Sequence, residues 1–247
     1  MIPPEETSSD LLDKHVAAYL GDSIYDFDNE RLLTWYPRRV LHHAGTATSL
    51  LELGIGHGFT TDIFSRHFQR HVVLEGSPAV IKAFRQKHGS CGAEIIETFF
   101  ESYSTDERFD LIVMGFILEH VDDPLRLLRN FRKFLAPAGR MFVAVPNAEG
   151  MNRRVGHLAG LLDNMTALSE HDLLLGHKRY YTVESLRAEV TQANCRIDRL
   201  EGIYLKPFTT SQILSLGLGP NVLEALCTLG INYPELCCGL LAEISPQ

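Results

Sequence analysis

Short apolar runs of strand length alternate with segments of helical period along most of the chain, the pattern of β–α–β units wound into a parallel sheet. Ser49–Leu53, His71–Glu75, Glu94–Thr98, Phe109–Met114 and Arg140–Val145 are the runs that predict the first strands. Between them, Thr60–Phe68, Pro78–His88 and Pro124–Leu135 read as helices. In the last of these Leu127, Leu128, Phe131 and Leu135 form one apolar stripe, and Pro137-Ala138-Gly139 stops it. Upstream, residues 10–44 predict two helices, broken near Gly21-Asp22-Ser23 and at Pro37. Downstream the rhythm changes. Residues 148–181 hold helix-like pieces with no strand between them, Thr182–Asn194 predicts a helix with Thr182 as N-cap, and Arg196–Leu205 and Leu236–Ile244 predict the closing strand pair. The expected architecture is a doubly wound α/β protein with a mostly parallel sheet of about seven strands. It divides into an N-terminal helical cap segment (1–44), a ligand-binding core (45–147), a helical lid inserted after the fifth strand (148–181) and a C-terminal part that completes the sheet (182–247).

Composition narrows the class without changing that picture. The 247 residues are 45% hydrophobic and 22% charged, a balance that supports a sizeable core. No apolar run approaches the roughly 20 residues needed to cross a membrane. The start, MIPPEETSSD, is acidic and polar rather than basic and then apolar, so a cytoplasmic location is expected. The net charge is −8 and the basic residues are scattered, which argues against nucleic acid or an anionic membrane as partner. Cys91, Cys195, Cys227, Cys237 and Cys238 are odd in number and form no Cys-x-x-Cys pair, so reduced thiols are expected.

The sharpest chemical signal is the turn after the first strand, Leu51-Glu52-Leu53-Gly54-Ile55-Gly56-His57-Gly58. Glycines there accept positive φ and let backbone approach a ligand with no Cβ in the way. The spacing is Gly-x-Gly-x-Gly, with an acid at Glu52, rather than the Gly-x-Gly-x-x-Gly of pyrophosphate-binding turns. An acid beside the turn suits a ligand that carries cations. The second strand ends in Glu75, about 20 residues beyond the glycines, where a carboxylate can accept hydrogen bonds from both hydroxyls of a ribose.

Four stretches occur in order over roughly residues 48–147: ELGIGHG (52–58), VVLEGS (72–77), FDLIVMGFILEHVDDP (109–124), and LAPAGR (135–140) followed by an apolar strand. Together they resemble the class I, Rossmann-like, S-adenosylmethionine (SAM)-dependent methyltransferases. The later stretches GHKRYYT, YLKPF and PELCCGLLAEI look like small-molecule members of that family. The resemblance implies SAM as cofactor and S-adenosylhomocysteine as product. It places Glu52, Gly54, Gly56 and Gly58 along the methionine moiety and ribose, and Glu75 on the ribose hydroxyls. Gly76 and Ser77 would border the adenine, Thr98, Phe99 and Phe100 would flank its edge and face, and Gly115 and Phe116 would face the sulfur. Tyr25, on the N-terminal segment, would touch the methionine end. Glu119-His120 would bond locally or take part in the reaction.

In an open α/β sheet the ligand sits beyond the carboxyl ends of the strands. The loop at Pro146-Asn147 should therefore floor an acceptor site, with the amide of Asn147 able to donate and accept. The polar, aromatic 148–181 segment supplies His171, His177, Tyr180 and Tyr181 as candidates for acceptor contacts or proton removal. No metal is expected, since nothing in the spacing of the lid's histidines and Asp172 fixes three ligands on one centre. Methyl transfer from a sulfonium is an in-line displacement that needs alignment, water exclusion and a route for any proton. The leading expectation is methylation of O, N or C of a small metabolite. Two alternatives are intramolecular cyclisation of SAM to azetidine-2-carboxylate and methylthioadenosine, and a non-catalytic SAM-binding module. A small-molecule substrate and a monomer or homodimer are the expected partners.

Overall fold

The computed structural model describes residues 23–247. The first predicted helix piece and the Gly21-Asp22 break lie outside the described residues. Among those described, the strands are β1 (Ser49–Leu53), β2 (Arg70–Glu75), β3 (Glu94–Glu97), β4 (Phe109–Gly115), β5 (Leu135–Pro146), β6 (Cys195–Ile203) and β7 (Gly239–Pro246). They form a 7-stranded sheet in the order β3-β2-β1-β4-β5-β7-β6. β1 through β5 pair in parallel, and β7 is antiparallel to both β5 and β6. This is the expected doubly wound, mostly parallel sheet.

The helices are α1 (Asp26–Ala44), α2 (Phe59–Phe64), α3 (Pro78–His88), α4 (Pro124–Phe131), α5 (Met151–Leu158), α6 (Glu170–Leu174), α7 (Val183–Gln192), α8 (Thr210–Ser215) and α9 (Pro220–Gly230). Strand side chains alternate between the two faces, so each face needs its own cover. Leu51, Leu53, Ile112, Met114, Val143 and Val145 pack with Leu127, Leu128 and Phe131 of α4 and with Leu186 and Val190 of α7. Their sequence neighbours Leu50, Leu111, Val113, Phe142 and Ala144 pack instead with Trp35, Tyr36 and Val40 of α1, Phe64 of α2 and Cys227 of α9. Each fully buried Leu, Val or Phe contributes about 1.5–3 kcal/mol through removal from water. All five cysteines are free thiols.

Several boundaries differ from the sequence expectation, each for a packing reason. α1 runs unbroken through Pro37, which is buried inside it. The missing N–H costs one helical hydrogen bond, but Trp35, Tyr36 and Val40 on the same helix are held against the sheet. The helix starting at Pro124 ends at Phe131, passes through a 3-10 turn at Arg132–Phe134, and gives way to β5 at Leu135. Pro137-Ala138-Gly139 thus lies inside an irregular start to β5, with Ala138 at φ 64°, rather than in a loop. α8 and α9, between β6 and β7, were not anticipated. Thr209 and Gln212 form a capping box for α8, and Pro220 opens α9; the leucine- and glycine-rich composition obscures the helical period there.

Ion pairs join distant elements. Arg39 and His43 of α1 both reach Glu201 of β6 at 2.8 Å. The β6–β7 pair admits no side chain at Gly202, where a Cβ would lie 2.4 Å from the Gly230 carbonyl oxygen and 2.5 Å from Cys237 Sγ. Gly202→Ala is therefore expected to lower stability by about 1–3 kcal/mol through overpacking, read as a fall of several degrees in the melting temperature.

Candidate active site

The loops leaving β1, β2, β4 and β5 open to one edge of the sheet, and there they line a cavity of about 720 Å³. α1 and the 148–181 segment form its far wall.

The floor begins with the glycine turn. Gly54, Gly56 and Gly58 all have positive φ, at 77°, 51° and 82°, a region that L side chains enter only under strain. The turn is clamped from the neighbouring strand. One oxygen of Glu75 accepts from the Ile55 amide at 2.9 Å, and the other accepts from the Ser77 amide at 2.8 Å. Ser77 in turn caps α3 through the Val80 amide. Glu75 borders the cavity.

Tyr25, Gly54, Gly56, Gly58, Glu75, Gly76, Ser77, Thr98, Phe99, Phe100, Gly115 and Phe116 all border this cavity. Phe100 also packs on the core, whereas Phe99 does not. Phe116 holds φ 58°, an uncommon backbone for an aromatic residue, at the point where β4 ends. Glu52 corrects the expectation: it does not line the cavity. It is buried one layer behind, accepting from Thr60 Oγ1 at 2.6 Å and contacting His71 Nε2 at 2.9 Å. A carboxylate that deep needs partners of its own, and those partners hold it away from a ligand.

The acceptor-side candidates divide in the same way. His171, His177, Tyr180 and Asn147 border the cavity, and Tyr181 does not. Tyr181 packs in the core and its hydroxyl donates to Glu189 at 2.7 Å. Asn147 has its amide committed to backbone. Nδ2 donates to the carbonyls of Cys237 at 2.8 Å and Pro234 at 3.2 Å, while Oδ1 accepts from the Glu149 amide at 3.0 Å. It ties the end of β5 to the segment before β7 and has little left for a substrate.

Around the 148–181 segment, His171 stacks on Tyr25 with ring centroids 4.3 Å apart. Asp172 gathers several groups: the Tyr180 hydroxyl donates to it at 3.1 Å, and His177 Nδ1 lies 3.2 Å away. Burial opposes ionisation of Asp172, but the bonds from His177 and Ser169 outweigh it and hold the carboxyl well below its usual range. The Arg153 guanidinium lies over the Tyr180 ring at 4.3 Å and donates to the carbonyls of Met165 and Ala167, fixing the loop between α5 and α6.

The sequence reading missed the buried cluster in which Lys206 Nζ donates to Asp28 at 2.5 Å and to Thr210 Oγ1 at 2.8 Å. Lys206 and Thr210, four residues apart, meet an Asp28 that is 178 residues before Lys206, and all three border the cavity, so no local spacing announces the cluster. Glu119 was noted without a firm role. It is fully buried, and neither of its oxygens has a hydrogen-bond partner. Burial pushes its pKa up to about 7 against the opposing charge of His177.

The family model described as "Methyltransferase domain" matches residues 25–200. The chain belongs to this methyltransferase family. A ubiquinone biosynthesis O-methyltransferase of Parvibaculum lavamentivorans is 26% identical over 174 residues, covering 67% of this chain and 65% of that protein. Nodulation protein S of Sinorhizobium fredii is 28% identical over 161 residues, covering 64% of this chain and 71% of the relative. In three dimensions the chain is similar to the N-methyltransferase NodS of Bradyrhizobium japonicum, solved with S-adenosylhomocysteine. The TM-score is 0.62 at 17% identity, and 96% of this chain and 98% of that one are covered. The glycopeptide N-methyltransferase MtfA, solved with SAM, gives a TM-score of 0.58 at 15% identity over 87% and 94% of the two chains. These likenesses identify the class I methyltransferase fold.

The bonding of Asn147 makes it structural. Asn147→Ala leaves the Cys237 carbonyl and the Glu149 amide without their partner, and urea unfolding is expected to show a loss of about 1–3 kcal/mol.

Proposed function

We propose that this chain uses SAM to methylate O, N or C of a small metabolite. The observation that carries the reading is the Glu75-clamped glycine turn, which opens into a cavity also lined by the polar residues Arg153, His171, His177, Tyr180 and Lys206. In this reading Glu75 holds the ribose hydroxyls, and Gly76, Ser77, Thr98 and Phe99 bound the adenine. The turn glycines, with Gly115 and Phe116, run along the methionine and sulfur, and Tyr25 covers the methionine end. His171 and Tyr180 contact the acceptor, and its proton is lost at the His177 end of the cavity. Residues 148–181 serve as a lid and the N-terminal segment as a cap, with Arg153 holding the lid loop in place.

The polar lining also supports methyl transfer over cyclisation. A SAM molecule attacking its own γ-carbon needs no acceptor space, whereas this cavity carries Lys206, Arg153 and Tyr180 beyond the turn. The acidic charge and scattered basic residues support a small-molecule substrate with no nucleic-acid partner. Among the described residues no helix is long and apolar enough to cross a membrane. We place the protein in the cytoplasm. For assembly the reading allows a monomer or a homodimer. β7 is paired on both sides and offers no free edge, while Leu158 and Leu161 of the lid, 87% and 85% accessible, offer apolar surface for a dimer.

Two measurements test this. Incubation with SAM and a panel of small phenols and amines is expected to give S-adenosylhomocysteine, and SAM alone to give no methylthioadenosine. Methylthioadenosine from SAM alone would sink the acceptor reading. By calorimetry, Glu75→Ala is expected to weaken S-adenosylhomocysteine binding roughly 10- to 100-fold, the cost of about 1.5–3 kcal/mol for bonds to a charged group. An unchanged affinity removes Glu75 from the cofactor site.

A further inference from the structure

The turn after β4 and the 148–181 segment bring Glu119, His120 and His177 to the cavity wall, with one ligand-type atom from each within 4.8 Å of the others. Backbone already joins the two segments at this point, since the Lys178 amide donates to the Glu119 carbonyl at 2.8 Å. A contact between Lys178 and Asp122 reinforces the join. The His120 and His177 rings stand edge to face with centroids 4.8 Å apart.

The Glu119 carboxylate is the anomaly in this arrangement. It is 0% exposed, and both of its oxygens lack a hydrogen-bond partner. A buried carboxyl in that state is costly unless it is neutralised or meets a cation. No lysine or arginine side chain forms an ion pair with it among the described residues. The groups beside it are imidazoles, which are themselves metal ligands.

We infer that Glu119, His120 and His177 bind a divalent transition-metal ion of the Zn²⁺ class at the cavity wall. Two imidazoles and one carboxylate form a donor set suited to such ions, with the remaining position open to a small molecule. Ligand atoms around a tetrahedral ion with bonds of about 2.1 Å sit roughly 3.4 Å apart. Modest side-chain rotation reaches that spacing from the 4.8 Å limit seen here. Asp172 completes the arrangement from behind. It lies 3.2 Å from His177 Nδ1 and is itself fixed by Ser169 and Tyr180. A carboxylate in that place orients a ligating imidazole and leaves Nε2 for the ion. The open position faces the cavity, so an acceptor hydroxyl or amine bound there would lose its proton more readily. That consequence rests on the methyltransferase reading, whereas binding of the ion does not.

The test uses tag-free, full-length protein stripped with chelator and titrated with Co²⁺, followed by Zn²⁺. One Co²⁺ per chain is expected, with visible absorption bands of a low-coordinate site that Zn²⁺ abolishes. E119Q and H177N are each expected to weaken Co²⁺ binding by at least about 100-fold, and D172N by about 10-fold. Circular dichroism and S-adenosylhomocysteine calorimetry on the same samples report the fold and the cofactor site separately. If E119Q or H177N fails to fold, H120Q supplies the same comparison. Absence of Co²⁺ and Zn²⁺ binding at millimolar concentration overturns the inference, leaving Glu119 as a protonated buried acid. Binding that survives E119Q, H120Q and H177N also overturns it by placing the ion elsewhere. Ion binding without S-adenosylhomocysteine binding upholds the metal site and rejects the cofactor reading alone.

Discussion

The site depends on a carboxylate reaching across from one strand to the backbone of the next loop. Glu75, at the end of β2, accepts from the Ile55 amide within the glycine turn and from the Ser77 amide that begins α3. That pair of bonds joins two adjacent βα turns into one rigid floor. Without it, the turn at Gly54–Gly58 would keep its freedom and lose its shape, because glycine gives up the most conformational entropy on ordering. The clamp is possible because β1 and β2 run parallel in register, Leu53 opposite Leu74, so their loops leave the sheet at the same edge.

The far side of the cavity is held by a different kind of interaction. Asp172 collects the hydroxyls of Ser169 and Tyr180 and stands beside His177. Arg153 stacks on Tyr180 while donating to two loop carbonyls. This polar network replaces the apolar packing of the sheet faces, and it suits a wall that must meet a polar molecule. In a low-dielectric surround its partners depend on one another, so breaking one bond strands several groups. Beside it, both oxygens of the buried Glu119 carboxyl lack a hydrogen-bond partner.

Most of the architecture was legible in local pattern. The runs at 49–53 and 78–88 have the extents that the sequence reading assigned, and the glycine turn sits between strand and helix where its spacing placed it. Apolar alternation and glycine spacing are properties of neighbouring residues, so they survive in the linear chain. The failures share the opposite property. Pro37 stays inside a helix because residues from the sheet hold that helix down. Likewise, Glu52 is withdrawn from the cavity by His71 and Thr60 and Tyr181 by Glu189, while Asn147 borders the cavity with its amide spent on carbonyls more than 80 residues away.

By itself the sequence determined the α/β class, the parallel winding, the glycine turn and the acid that follows it, because those are set by residue type at short spacing. Only the tertiary structure decided which polar side chains face the cavity and which are spent on one another. A carboxylate or amide has few bonding positions, and whether a buried one is satisfied depends on partners brought close by folding. Glu75 and Glu52 are both acids at the ends of neighbouring buried strands; the fold sends the first to the cavity wall and the second into the interior.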